Sequence, residues 1–159
     1  MQTTAGSAAL TGSVVPGDAE VVRGFLAAGG VPLGKANMSE WASMQAGYLA
    51  EGYFSCEGQN RKPYNLAEHQ GGSNSGSASA LAADLCAFSI GTETDGSLMF
   101  PADRNAVIAI KGTVRLSFTE GTTPEAPSME NVGAFGRSVG AAAVILNVIA
   151  DSGAEPAPA

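Results

Sequence analysis

An α/β domain is the fold class this sequence predicts, and three observations predict it. Apolar residues fill 45% of the 159 positions and charged residues only 14%, a balance that favours a packed core over a disordered chain. The 21 glycines suit a fold with many tight turns better than a bundle of surface helices. Short apolar runs of strand length alternate with segments of helical period. The length is sufficient for one domain with a real core.

Each element follows in order. Pro16-Gly17-Asp18 reads as a helix start with Asp18 as the N-cap. Residues 19–28 then form an amphipathic helix, with Val21, Val22, Phe25 and Leu26 on one face, stopped by Gly29-Gly30. Residues 31–33 read as a short buried strand. Asn37 or Ser39 caps a second short helix through Glu40, Trp41 and Ala42. Residues 47–70 are polar and irregular, a loop of a length that is usually functional or disordered. A Gly/Ser turn at 71–76 leads into a small-residue helix at 77–85. A buried strand at 87–90 is followed by a second turn at 91–96 and a helical turn near Ser97. Residues 107–110 form another buried strand. Residues 138–150 form an apolar helix with Val139, Ala143, Leu146 and Ile149 on one side. The domain is expected to span 1–150, followed by a disordered Pro/Ala-rich tail at 151–159.

Charge removes several classes of function. The net charge is −7, with only 8 Lys and Arg, so no basic stripe can follow a nucleic-acid backbone or hold an anionic membrane. Cys56 and Cys86 are too few for a disulfide framework, have no metal-type spacing, and are expected to be buried or partly buried thiols. No metal or cofactor is expected. The N-terminal stretch has no positive region before an apolar run, so a signal peptide is not expected. No window has the apolar length of a membrane span. A soluble, cytoplasmic protein is the default.

Two glycine-rich turns carry whatever chemistry there is: GGSNSGS at 71–77 and GTETDGS at 91–97. Each precedes a helix start, where free N–H groups attract negative charge and can stabilise an acyl-transfer oxyanion. Each is also consistent with being a turn and nothing more. A phosphate cradle is weakened because no Gly-Lys-Ser/Thr follows the first turn, and a dinucleotide fingerprint lacks its glycine spacing. His69 is the only histidine, and there is no Gly-x-Ser-x-Gly elbow, so it reads as a surface or loop-packing residue. A lysine base is the other common solution, and Lys35, Lys62 and Lys111 are those available.

Taken together, LGKANMSEWA at 33–42, GGSNSGSASALAADL at 71–85, GTETDGSLMFPA at 91–102, AIKGT at 109–113 and VGAFGRSV at 132–139 resemble the amidase signature family. The resemblance covers roughly 3–150, and its Gly-Thr-Glu-Thr-Asp-Gly-Ser form is similar to the fungal and peptide-amidase-like branch. It implies a mixed sheet flanked by helices and a serine hydrolase that cleaves the amide bond of a small-molecule substrate. Under it Ser97 is the nucleophile, and Ser73, held by a cis peptide bond, is the relay to a neutral lysine. The backbone N–H groups of Thr94, Asp95, Gly96 and Ser97 form the oxyanion hole. The family's catalytic lysine belongs to a Gly-Ile-Pro…Lys-Asp segment upstream of the part matched here, so Lys35 is read as structural and the chain as truncated and lacking its base. Asn74 stands where a serine is usual, Gly112 where a proline is, Arg115 and Ala109 where glycines are, and Ala141 where an aspartate is. A non-catalytic amidase remnant and a small anion-binding module are the alternatives.

Overall fold

The computed structural model describes residues 1–45 and 47–150; the expected tail, 151–159, lies outside the described residues. The first regular helix, α1, spans Glu20–Ala27. Asp18 does not cap it. Ala19 holds the N-cap position without a side-chain bond, and the Asp18 carbonyl accepts from the Arg23 guanidinium instead. Val21 and Phe25 are its buried residues, while Leu26 is exposed, so the buried stripe is narrower than the sequence suggested. Phe25 meets Phe88 edge-on, with ring centroids 5.4 Å apart. Gly29 (φ +85°) ends the helix, and Gly30 N–H bonds back to the Phe25 carbonyl at 3.0 Å, the left-handed glycine stop the sequence predicted.

The next two expectations are corrected. Residues 31–33 form no strand: Val31 and Leu33 are exposed, and an apolar run becomes a strand only where a partner takes its backbone groups. The short helix at 40–42 is a 3₁₀ turn over Glu40–Ser43, with Trp41, Ala42 and Ser43 all at positive φ. Its backbone is tied sideways, Trp41 N–H to the Ala5 carbonyl and Ser39 N–H to the Ser73 carbonyl, both at 2.9 Å.

The long loop contains a small antiparallel hairpin, β1 (Tyr53–Phe54) with β2 (Gly58–Gln59). Helix α2, Ser75–Ala82, starts earlier than predicted and stops where Asp84 takes φ +61°. Strand β3, Phe88–Glu93, is longer than predicted. Its extra residues, 91–93, come from what the sequence presented as a turn. Helix α3 spans Met99–Arg104 and strand β4 spans Ile108–Lys111.

Strand β5, Asn131–Gly136, was visible in the sequence only as part of a family motif. It is the centre of the sheet, whose order is β3-β5-β4, and all six of its residues are buried. It runs antiparallel to both neighbours, Phe88 opposite Gly136 on one side and Lys111 opposite Gly133 on the other. β3 and β4 therefore point the same way, and the connection between them crosses over through α3, as parallel strands require. Gly133 and Gly136 leave room for the layers: a Cβ at Gly133 would lie 2.3 Å from Leu98 Cδ1.

Helix α4, Val139–Ile149, is capped by Ser138, whose hydroxyl accepts from Ala141 N–H. It packs through Ala142, Ile145 and Ile149, while Val139 is exposed. The buried face is thus rotated from the expected Val139–Ala143 line. The core has two clusters. One joins Ala78, Leu81, Leu98, Ala102, Val107 and Phe135; the other joins Val21, Val132 and Ile149. No helix is long and apolar enough to cross a membrane among the described residues. Cys56 is exposed, against expectation, because it sits at the hairpin tip. Cys86 is half-buried, and burial pushes its thiol pKa up.

Candidate active site

The two serine turns converge because α2 lies along the free edge of β3. The first turn leaves Gly71 at φ +77°, and a Cβ there would meet the Pro101 backbone at 3.0 Å. The peptide between Gly72 and Ser73 is cis. Ser73 is buried, with its carbonyl held by Ser39 N–H. The predicted loop forms the wall beside it. Ser39 Oγ donates to Glu51 Oε2 at 2.9 Å and accepts from Gly52 N–H at 2.8 Å. A Cβ at Gly72 would collide with both Glu51 Oε2 and Ser39 Oγ. Ser39, Glu51 and Gly72 are thus one packed unit; Ser39 and Gly72 lie in the sequence motifs, while the segment that carries Glu51 was marked only by the length of its loop.

The second turn leaves β3 at Glu93 and enters α3 at Met99. Glu93 is buried and its Oε2 accepts from Leu98 N–H at 2.6 Å and Met99 N–H at 3.0 Å. Lys111 Nζ lies 3.8 Å from Glu93 Oε1 and donates to the Thr94 carbonyl at 3.2 Å. Thr94 Oγ1 donates to Glu125. Sequence reasoning missed Glu93 and read Lys111 only as one of the available lysines. Their signal was a carboxylate four residues before the serine and a lysine on the strand that follows.

Between these braces the N–H groups of Thr94, Asp95, Gly96 and Ser97 bond to no other described residue. Gly96 has φ +74°, which turns successive N–H groups toward one side. Ser97 is half-buried and Asp95 exposed, and neither the Ser73 nor the Ser97 hydroxyl bonds to another described side chain. Asn74 joins the turns: its backbone N–H and its Nδ2 both reach the Ser97 carbonyl, at 3.4 and 2.7 Å.

None of the three lysines hydrogen-bonds to Ser73. Lys35 Nζ bonds to Thr3 Oγ1, burial of its stem pulls its pKa down, and it lines a groove with Asn37, Gly76 and Ser79 that neither catalytic serine candidate enters. Lys62 pairs with Glu68. His69 is exposed, accepts from Gly71 N–H at 3.3 Å and leans on Phe100, a loop-packing residue as read. Among the described residues no three or more His, Cys, Asp or Glu side chains are grouped to hold a metal.

The amidase family model matches residues 1–157. A relative from Schizosaccharomyces pombe, named as an amidase, is 48% identical over 139 residues, which is 87% of this chain and 24% of that one. A relative from Arabidopsis thaliana, also named as an amidase, is 42% identical over 149 residues, which is 94% of this chain and 29% of that one. The crystal structure of the peptide amidase of Stenotrophomonas maltophilia superposes with a TM-score of 0.92 at 42% identity, over the whole of this chain and 34% of that one. The chain therefore spans roughly a quarter to a third of the length of these relatives. On its sequence and its fold alike, the chain belongs to the amidase family.

Proposed function

We propose that this chain carries the acyl-transfer centre of an amide hydrolase. Ser97 is the nucleophile, Ser73 the proton relay, and the N–H groups of Thr94, Asp95, Gly96 and Ser97 the oxyanion hole. The observation that carries this reading is the run of four N–H groups without an acceptor among the described residues, on the turn that carries Ser97. The next two N–H groups, of Leu98 and Met99, are taken by Glu93. Donors held in place by their neighbours stabilise a developing oxyanion without reorganising when it forms.

In this reaction Ser97 Oγ attacks the carbonyl carbon of a carboxylic amide, and its proton passes to Ser73 as Ser73 gives its own to a base. The tetrahedral intermediate collapses, the amine leaves with a proton returned through Ser73, and water releases the acid from the ester by the same relay. A lysine suits the base because desolvation can keep it neutral near pH 7. With Lys35, Lys62 and Lys111 bonded elsewhere, this reading takes the base from the family's Gly-Ile-Pro…Lys-Asp segment, and these 159 residues hold the relay and the nucleophile without it.

The same engagement of the lysines favours a second reading, in which the fold is kept and turnover is lost. An activity-based fluorophosphonate probe separates the two. Slow labelling of the folded chain that disappears in Ser97→Ala supports the catalytic reading, since loss of one member of a relay lowers the rate by orders of magnitude without abolishing it. A folded chain that takes no label is the result that overturns it.

A further inference from the structure

We infer that Asn74 is a positioning residue: its carboxamide fixes the main chain of the nucleophile turn against the relay serine, in a space that Gly91 leaves open. The inference rests on the catalytic reading above for its consequence in rate, and on geometry alone for the clamp itself.

Asn74 is nine-tenths buried, 9% exposed, and both ends of its amide are engaged. Oδ1 accepts from Thr92 N–H at 3.3 Å. Nδ2 donates to the Thr92 carbonyl at 2.6 Å and to the Ser97 carbonyl at 2.7 Å. The side chain thus docks on Thr92 as another strand residue would, along the edge of β3 that faces away from β5. Ser77 Oγ extends the same pattern to the Ile90 carbonyl at 3.1 Å. The third bond leaves the strand and holds Ser97 itself, with Glu93 gripping the next two N–H groups from the other side.

The chemistry selects a carboxamide. It offers two donors and an acceptor in one plane. A serine hydroxyl has one proton and can donate to only one of the two carbonyls. An aspartate has the same shape but no donor, so it would set a carboxylate against both carbonyl oxygens. The room for the amide comes from Gly91: a Cβ there would lie 2.3 Å from Asn74 Oδ1 and 2.5 Å from Cγ. Gly91 is absent from the positive-φ residues, so alanine conflicts there through Asn74 and not through its own backbone.

The test uses the 159-residue chain and the fluorophosphonate probe, separating half-saturation from the rate constant of the bound step. Asn74→Asp should lower that rate constant by about 30-fold with half-saturation unchanged, in line with the up to 100-fold losses that small misplacements cause. Asn74→Ser should lose about 5-fold, because the shorter side chain sets no charge against the carbonyls and the backbone N–H of residue 74 still reaches the Ser97 carbonyl. Gly91→Ala should match Asn74→Asp, and adding Asn74→Ser to it should return the rate to the Asn74→Ser level. A role in stability alone would lower the melting temperature of these variants and leave the rate per folded molecule unchanged. Unchanged rates, or losses that simply multiply in the double variant, overturn the inference. If the wild-type chain takes no label, the catalytic reading fails separately. The clamp is then judged by NMR: both Asn74 Nδ2 protons and the Thr92 amide proton should exchange slowly with solvent, and fast exchange overturns it.

Discussion

Arg115 stands at φ +73°, a conformation that costs an L-residue about 1–2 kcal/mol. It is exposed, and the surrounding turn is closed by Leu116 N–H on the Thr113 carbonyl at 2.8 Å. Arg115→Gly should raise stability by about 0.5–1 kcal/mol, the relieved strain less the extra freedom glycine gives the unfolded chain. The urea midpoint measures this, and a fall would mean that the arginine makes a compensating contact. The position was legible in the sequence, because the family resemblance puts a glycine there and a non-glycine at such a site announces strain. Gly112 in the same turn was noted as a departure, but its consequence was not legible. A Cβ there would stand 2.6 Å from Leu116 Cδ2, a crowding set by a side chain four residues on. The roles proposed for Ser73 and Ser97 came from the motifs. The clamp at Asn74 did not, since it depends on which carbonyls a fold brings within reach of one amide.

At the scale of elements, α3 is held to the sheet by charge as well as packing. Its six residues are too few for a helix to be stable alone, and Glu93 fixes its start by accepting from Leu98 and Met99 while paired with Lys111. Glu93 is buried and Lys111 only partly so, so removing Glu93 leaves Lys111 to the Thr94 carbonyl and frees two N–H groups. Glu93→Ala should cost about 3 kcal/mol, and Glu93→Gln less, because one oxygen remains to accept. Adding Lys111→Met to Glu93→Ala should recover part of the loss. A cost below about 1 kcal/mol for Glu93→Ala would place the pair with ordinary surface ion pairs. The elements that the sequence misjudged share a cause. β5 reads Asn-Val-Gly-Ala-Phe-Gly, with glycines that lower strand propensity, yet it becomes the central strand because those glycines admit Leu98 and α4 against the sheet. The run at 31–33 shows the reverse, a strand-like composition with no partner to pair with. Propensity records neither neighbour.

The whole molecule presents much apolar surface for its size. Tyr48, Leu33, Val31 and Leu85 are 88%, 75%, 74% and 70% exposed, and β4 hydrogen-bonds to β5 alone among the described strands. Leu66 and Leu85 line one open groove with Lys35 and Arg61. Exposed apolar side chains favour association, and a strand with one free edge adds a template for it. The net charge of −7 opposes association through space, but salt at physiological strength screens it beyond about 8 Å and leaves contact forces in control. The 159-residue chain should therefore self-associate at micromolar concentration, more strongly as salt rises, and bind an environment-sensitive dye while folded. Leu66→Ser with Leu85→Ser should weaken both effects. Because neither residue is buried, the pair should shift stability by no more than about 0.5 kcal/mol each. Sedimentation and dye fluorescence at matched concentration measure the two effects together. A monomer that binds no dye across that range would show that these side chains cover one another in solution, and the surface argument would fail at its first step.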